Sequence, residues 1–368
     1  MTLKPIGEQT TAAERRRRAG QRLLIGFHGS GVPDEVRWLC QETAPAGFIV
    51  FSRNIEDPAQ ARELNRELAS LLPRSHPPLL SIDQEGGRVQ RLPGTTWPPA
   101  RWVGNVDNPA TTARLGAAMG RELYAAGFNT TWSPVADVSN KTAASIIGDR
   151  SFSGDPRRAA RHTAAFLRGL DAAGVIGCAK HFPGHGATII DSHRELPAIE
   201  RECPEVEATD LPPFRAAISA GVGLIMTAHA MFPAWDEDRP ASLSHRLTTG
   251  LLREELGFED GVIVTDDLEM EGLARWSPPE RIQHAADAGA DLLMLCHTPH
   301  LQLAAYEQLV HMQEDVRGND QRFIDASKRL MRLRERAWLG RPPQPDLSII
   351  GCQSHIDLAY EIRARGSE

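Results

Sequence analysis

Short apolar runs recur along the chain, separated by segments whose apolar residues return every three or four positions. Residues 21–29, 46–51, 79–83, 128–138, 175–179, 223–229, 261–265 and 291–296 read as eight buried strands, being brief, mostly apolar and closed by Gly, Pro or polar turn signals. Between them the spacing predicts helices over 33–40, with Trp38 and Leu39 inward, and over 58–72, with leucines at 64, 68, 71 and 72 and Pro58 in the first turn. Further helices are expected over 111–126, 156–173, 203–220, 247–256 and 279–288, then 301–312 and 319–338 after the last strand. Parallel strands need crossover helices, so this alternation predicts an α/β fold, a single (β/α)8 TIM-type barrel; a doubly wound open sheet would show similar alternation. We expect a polar N-terminal extension over 1–20, the catalytic barrel over 21–340 and a short C-terminal tail over 341–368.

Polar groups fall at the ends of strands three to seven, where a barrel gathers its active groups. The third strand ends on Asp83 and runs into Gln84-Glu85-Gly86-Gly87-Arg88, the fourth on Asp137, with Arg150 in the loop beyond. The fifth ends on Lys180-His181, the sixth on His229, and the seventh enters Asp266-Asp267-Leu268-Glu269-Met270. The densest stretch runs from Lys180 to His193 and puts one lysine, three histidines and a carboxylate into one loop.

Composition narrows the class. The 368 residues are 41% hydrophobic and 24% charged, and no apolar run approaches the roughly 20 residues of a membrane helix, so no membrane role is expected. The polar start leads into Arg15-Arg16-Arg17-Arg18, read as a solvated helix start, without an apolar segment suited to a signal peptide; a cytoplasmic protein is expected. Five widely spaced cysteines without a C-x-x-C pair suggest neither disulfides nor a zinc knuckle, and a net charge of −7 argues against nucleic acid as a partner. Neither a G-x-G-x-x-G turn nor a Walker loop is present, so no nucleotide cofactor is expected.

Asp191 and His193 are two apart, so in extended backbone they lie on one side at about 6–7 Å, within reach of a carboxylate–imidazole hydrogen bond that fixes the tautomer. His193 is thereby a candidate general acid/base. Asp266 is in phase with Val262 and Val264 and could serve as nucleophile, base or metal ligand, with Asp267 its obvious rival and helix capping the plainer role. Asp83 and Arg88, with Arg150, Lys180 and His181, suit a hydroxyl-rich or anionic ligand. A metal site from His181, His185, His193 and an Asp is disfavoured by the Pro/Gly loop geometry and by Lys180, and a Schiff-base role for Lys180 by its polar neighbours.

These motifs together, Lys180-His181-Phe182-Pro183-Gly184-His185-Gly186, Asp191-Ser192-His193 with Leu196-Pro197, Asp83 to Val89 and Thr265 to Met270, resemble glycoside hydrolase family 3, and more closely its bacterial β-N-acetylglucosaminidases of peptidoglycan recycling. The resemblance implies that Asp266 is the nucleophile of a retaining mechanism and His193 the acid/base oriented by Asp191, with Asp83, Arg88, Arg150, Lys180 and His181 forming the sugar pocket. It implies no metal or organic cofactor. The expected activity is exo-acting release of N-acetylglucosamine from 1,6-anhydromuramic-acid muropeptides by a monomer whose partner is that small carbohydrate. Alternatives are a β-glucosidase or glycosyl phosphorylase of the family, a metal-dependent hydrolase, or an inactive sugar-binding barrel. The family segment usually reads G-H-G-D-T, whereas Ala187 follows Gly186 here.

Overall fold

The structure, a computed structural model, describes residues 11–140, 146–188, 195–314 and 319–367. Its strands are β1 (Leu23–Ile25), β2 (Gly47–Val50), β3 (Leu79–Ile82), β4 (Gln84–Gly86), β5 (Val89–Gln90), β6 (Thr130–Thr131), β7 (Ile176–Phe182), β8 (Leu224–Thr227), β9 (Val262–Asp267) and β10 (Leu292–Leu295). Among the described residues eight of them close a parallel barrel in the order β1-β2-β3-β6-β7-β8-β9-β10, with Leu23 of β1 opposite Leu293 of β10. The chain therefore folds as a TIM-type barrel. β4 and β5 form an antiparallel hairpin standing on the end of β3.

The period of two along each strand sorts the apolar side chains into an inner and an outer set. Leu24, Ile49, Leu79, Ile176, Cys178, Leu224, Met226, Val262, Val264, Leu292 and Met294 pack together inside the barrel. Their neighbours Leu23, Ile25, Phe48, Val50, Leu80, Ile82, Leu293 and Leu295 join one outer cluster, and Ala179, Ile225 and Ile263 another, against the helices. Continuing the inner phase toward the strand C-termini reaches Phe51, Asp83 (by way of Ser81), Lys180, Asp266 and Cys296. The barrel thus changes from apolar to chemically active at its C-terminal rim.

Four local expectations are corrected. The fourth strand shrinks from 128–138 to Thr130–Thr131 plus an isolated bridge between Val135 and Lys180, because Pro134 has no N–H to give the ladder. The helix expected over 203–220 breaks into Cys203–Thr209 and Pro212–Ser219, since Pro212 and Pro213 can begin a helix but not continue one. In helix Asp34–Thr43 the buried set is Val36, Leu39, Cys40 and Thr43, at helical spacing, which turns Trp38 outward at 49% exposure. Arg246–Glu255 forms as expected by position but is wound as a π-helix.

Helix Gln353–Gly366 packs on helix Ala100–Val106. Glu122, 2% exposed, fastens it: its carboxylate accepts from Thr95 Oγ1, Trp97 Nε1 and the Gly351 amide, and pairs with His355 Nδ1 at 2.8 Å. Among the described residues no helix is long and apolar enough to cross a membrane.

Candidate active site

A cavity of about 210 Å³ opens at the C-terminal rim. Ile49, Phe51, Trp132, Met226, Met270 and Met294 give it an apolar wall, and Asp83, Glu85, Arg150, Lys180, His181 and Asp266 converge on the other sides. This combination of apolar lining and a few convergent polar groups is that of a ligand site. Larger hollows of about 650 and 780 Å³ flank Gly223 and Gly261, and Pro78, which precede β8, β9 and β3. They sit at the barrel end that does not gather catalytic groups.

The polar side is one ion network. Arg150 grips Glu85 with two parallel hydrogen bonds, Nε to Oε2 and Nη2 to Oε1, both 2.8 Å. Lys180 Nζ lies 2.7 Å from Asp83 Oδ1 and 2.8 Å from Glu85 Oε1. Burial alone would push the Glu85 carboxyl up, yet Arg150 and Lys180 outweigh it and hold Glu85 well below the usual carboxylate range. Burial likewise disfavours the Lys180 ammonium, and Asp83 and Glu85 more than reverse that, raising its pKa. Glu85 and Lys180 therefore both stay ionised at neutral pH. A lysine so paired does not meet the needs of a Schiff-base nucleophile, which has to be neutral.

A second cluster lies beside it. Asp137 is 1% exposed; its Oδ1 accepts the backbone amides of His181 at 3.1 Å and His185 at 2.7 Å, and its Oδ2 lies 2.7 Å from His181 Nδ1. Burial would raise the Asp137 pKa, but His181 and the amide of His185 outweigh that and keep it low. The ring of His185 stands edge-on to that of His181 at 5.9 Å, is 3% exposed, and has no hydrogen-bond partner on either nitrogen among the described residues. Burial, then His181, lowers its pKa and keeps it neutral. The glycines of the Pro183-Gly184-His185-Gly186 turn are steric requirements. A Cβ at Gly186 would lie 1.9 Å from the Val138 carbonyl oxygen, and one at Gly184, where φ is +146°, 2.6 Å from Asp210 Cβ. Ala187 then packs against the apolar cluster around Phe182.

Asp266 and Asp267 separate by strand phase. Asp266 follows Val262 and Val264 on the inner face and lines the cavity. Asp267 also touches the cavity wall, but its Oδ1 accepts the amides of Glu269 at 3.1 Å and Cys296 at 3.2 Å, and its Oδ2 lies 3.3 Å from His297 Nε2. It ties the end of β9 to that of β10. His229 donates or accepts with Ser242 Oγ at 2.7 Å, donates Nε2–H to the Asp267 carbonyl at 2.9 Å, and does not line the cavity.

Of the other sugar-pocket candidates, Asp83, Arg150, Lys180 and His181 come together at the cavity and Arg88 does not line it. Arg88 donates to the Ile146 and Ile147 carbonyls and faces Asp149, with 42% of its side chain exposed. It braces the segment that carries Arg150. Asp191 and His193 lie outside the described residues. Among the described residues no three His, Cys, Asp or Glu side chains converge as a metal-ligand set. Glu85 and Asp137 have no assigned role on sequence grounds, although both stand at strand ends; a carboxylate three residues before Arg88 and another ending strand four are the available signals. Trp132 and the methionines give no such signal, because apolar residues in a strand read as core.

The family model for the glycosyl hydrolase family 3 N-terminal domain matches residues 22–333. A β-hexosaminidase of Pseudomonas aeruginosa is 38% identical over 294 residues, covering 78% of this chain and 86% of that protein. A family 3 β-N-acetylglucosaminidase from Paenibacillus sp. superposes with a TM-score of 0.88 at 35% identity, over 95% of this chain and 68% of that one. NagZ from Neisseria gonorrhoeae, solved with N-trifluoroacetyl-D-glucosamine, superposes at 0.77 with 27% identity, over 94% of this chain and 98% of that one.

Proposed function

Because the chain belongs to glycosyl hydrolase family 3, we propose that it is a retaining exo-β-N-acetylglucosaminidase that removes N-acetylglucosamine from 1,6-anhydromuramic-acid muropeptides, acting as a cytoplasmic monomer. The observation that carries this reading is Asp266, a carboxylate on the inner face of β9 opening into a cavity that the Asp83–Lys180–Glu85–Arg150 network also lines. A cavity of about 210 Å³ is smaller than the roughly 300–1,000 Å³ of drug-sized pockets and suits one sugar ring, which favours removal of a terminal residue. The β-hexosaminidase of Pseudomonas and the acetylated-sugar ligand of the Neisseria protein support the N-acetyl sugar.

In the proposed reaction, Asp266 attacks the anomeric carbon, the glycosidic C–O bond breaks, and the leaving oxygen takes a proton from His193, oriented by Asp191. Water then attacks the glycosyl-enzyme ester and gives its proton to His193, and Asp266 leaves as a carboxylate. An imidazolium acid avoids placing a second anion beside the nucleophile. The dyad's role rests on the sequence. Asp83 and His181 hold sugar hydroxyls, while the ionised network fixes their positions at no reorganisation cost during reaction.

The test compares release of p-nitrophenol from the β-N-acetylglucosaminide and the β-glucoside, then of N-acetylglucosamine from an anhydromuropeptide. Turnover of the acetylated substrates alone is expected. Preference for the glucoside overturns the N-acetyl assignment.

A further inference from the structure

Asp137 touches no wall of the cavity, yet its two carboxylate oxygens are used differently. Oδ1 takes the backbone amides of His181 and His185, while Oδ2 takes the His181 ring. An ionised carboxylate accepts and cannot donate, so the ring nitrogen at 2.7 Å carries the proton. His181 lines the cavity and is 7% exposed, so its orientation is set by this contact rather than by solvent.

We infer that Asp137 is a positioning residue for sugar binding: it holds the proton on His181 Nδ1 and the angle of the ring, so that Nε2 is turned toward the sugar. The inference deepens the glycosidase reading and rests on it for the identity of the ligand. A sugar hydroxyl is both donor and acceptor, so the ring's proton pattern and angle set which hydroxyl orientation Nε2 binds. A carboxylate bonded to an imidazole in this way fixes both tautomer and ring angle.

Asp137→Asn isolates that effect. With the amide oxygen in place of Oδ1, both backbone amides keep their acceptor; the opposite orientation would set an NH2 against two N–H donors. The amide nitrogen then stands where Oδ2 was and donates to Nδ1, so that Nδ1 gives up its proton and Nε2 alone carries one. We expect kcat/KM for the p-nitrophenyl β-N-acetylglucosaminide to fall about tenfold to hundredfold in Asp137→Asn, and by less than about twofold when His181→Ala is already present. In ¹⁵N-histidine spectra of the full chain, His181 Nδ1 should carry a proton in the wild type and none in the Asn variant. An equal loss in both backgrounds, as from general loosening of the barrel end, overturns the proposal. So does an unprotonated Nδ1 in the wild type, a readout that needs no variant to fold. If the wild type cleaves no N-acetylglucosaminide, the functional reading fails, while the spectra still decide the Asp137–His181 relation.

Discussion

Lys180 Nζ stands 2.8 Å from Glu85 Oε1 with each side chain only 4% exposed, and Arg150 grips both oxygens of the same carboxylate. One buried anion therefore serves two buried cations. Glu85→Gln keeps the shape and removes the charge, leaving Lys180 with Asp83 and Arg150 without its bidentate partner. Breaking a buried pair from one side costs about 3–5 kcal/mol. Urea unfolding of Glu85→Gln should show a loss of that order, with kcat/KM falling at least about tenfold because Asp83 and Lys180 shift. A change under about 1 kcal/mol would mean that water screens the network.

Stability should fall with acid in two windows. The His185 pKa is lowered from 6.5, so below pH 6.5 the unfolded chain binds a proton that the folded chain refuses, and stability is lost as pH drops through that region. The Glu85 pKa is lowered from 4.5, so its contribution is complete above pH 4.5 and is lost as pH falls further. Urea midpoints should be flat from about pH 8 to about pH 7, decline below 6.5 and steepen below 4.5. His185→Leu should reduce the slope of the first window, with a remainder from His162, whose pKa burial also lowers. An unchanged slope in that variant would show that His185 is protonated in the folded protein.

Arg88 and Arg150 carry the same charge but stand in different relations to the cavity. Arg150→Ala removes a cavity wall and both hydrogen bonds to Glu85, so a loss of more than about a hundredfold in kcat/KM is expected. Arg88→Ala loosens the 146–149 segment and should cost less than about tenfold, mostly in KM. Steady-state kinetics of the two variants decide this, and equal losses would return Arg88 to the sugar pocket.

Much of this arrangement is legible in the amino-acid pattern alone. Period-two alternation puts Lys180 and Asp266 in phase with the barrel interior, since each follows two apolar residues at spacing two, and Asp83 in phase with Leu79 through the small Ser81. What is not legible depends on where loops land. Arg88 and Arg150 look equivalent along the chain, and only the fold of residues 146–150 sends one to the rim and one inward. Glu85 and Asp137 gain their roles from partners 65 and 44 residues away. The break at Pro212-Pro213 and the shortened strand before Pro134 are local proline effects hidden within longer apolar patterns. Trp38 is apolar enough to belong inside, but helical phase, not chemistry, decides its side.

Retention through Asp266 requires a covalent bond between its carboxylate and the sugar. The most direct measurement is mass spectrometry of the protein after reaction with a 5-fluoro-N-acetylglucosaminyl fluoride, which slows breakdown of the glycosyl-enzyme more than its formation. We expect a one-sugar mass increase that maps to Asp266 in the peptide containing β9 and is absent from Asp266→Ala. Labelling of another carboxylate, Asp267 or Asp83, or full turnover by Asp266→Ala, would refute the proposed mechanism.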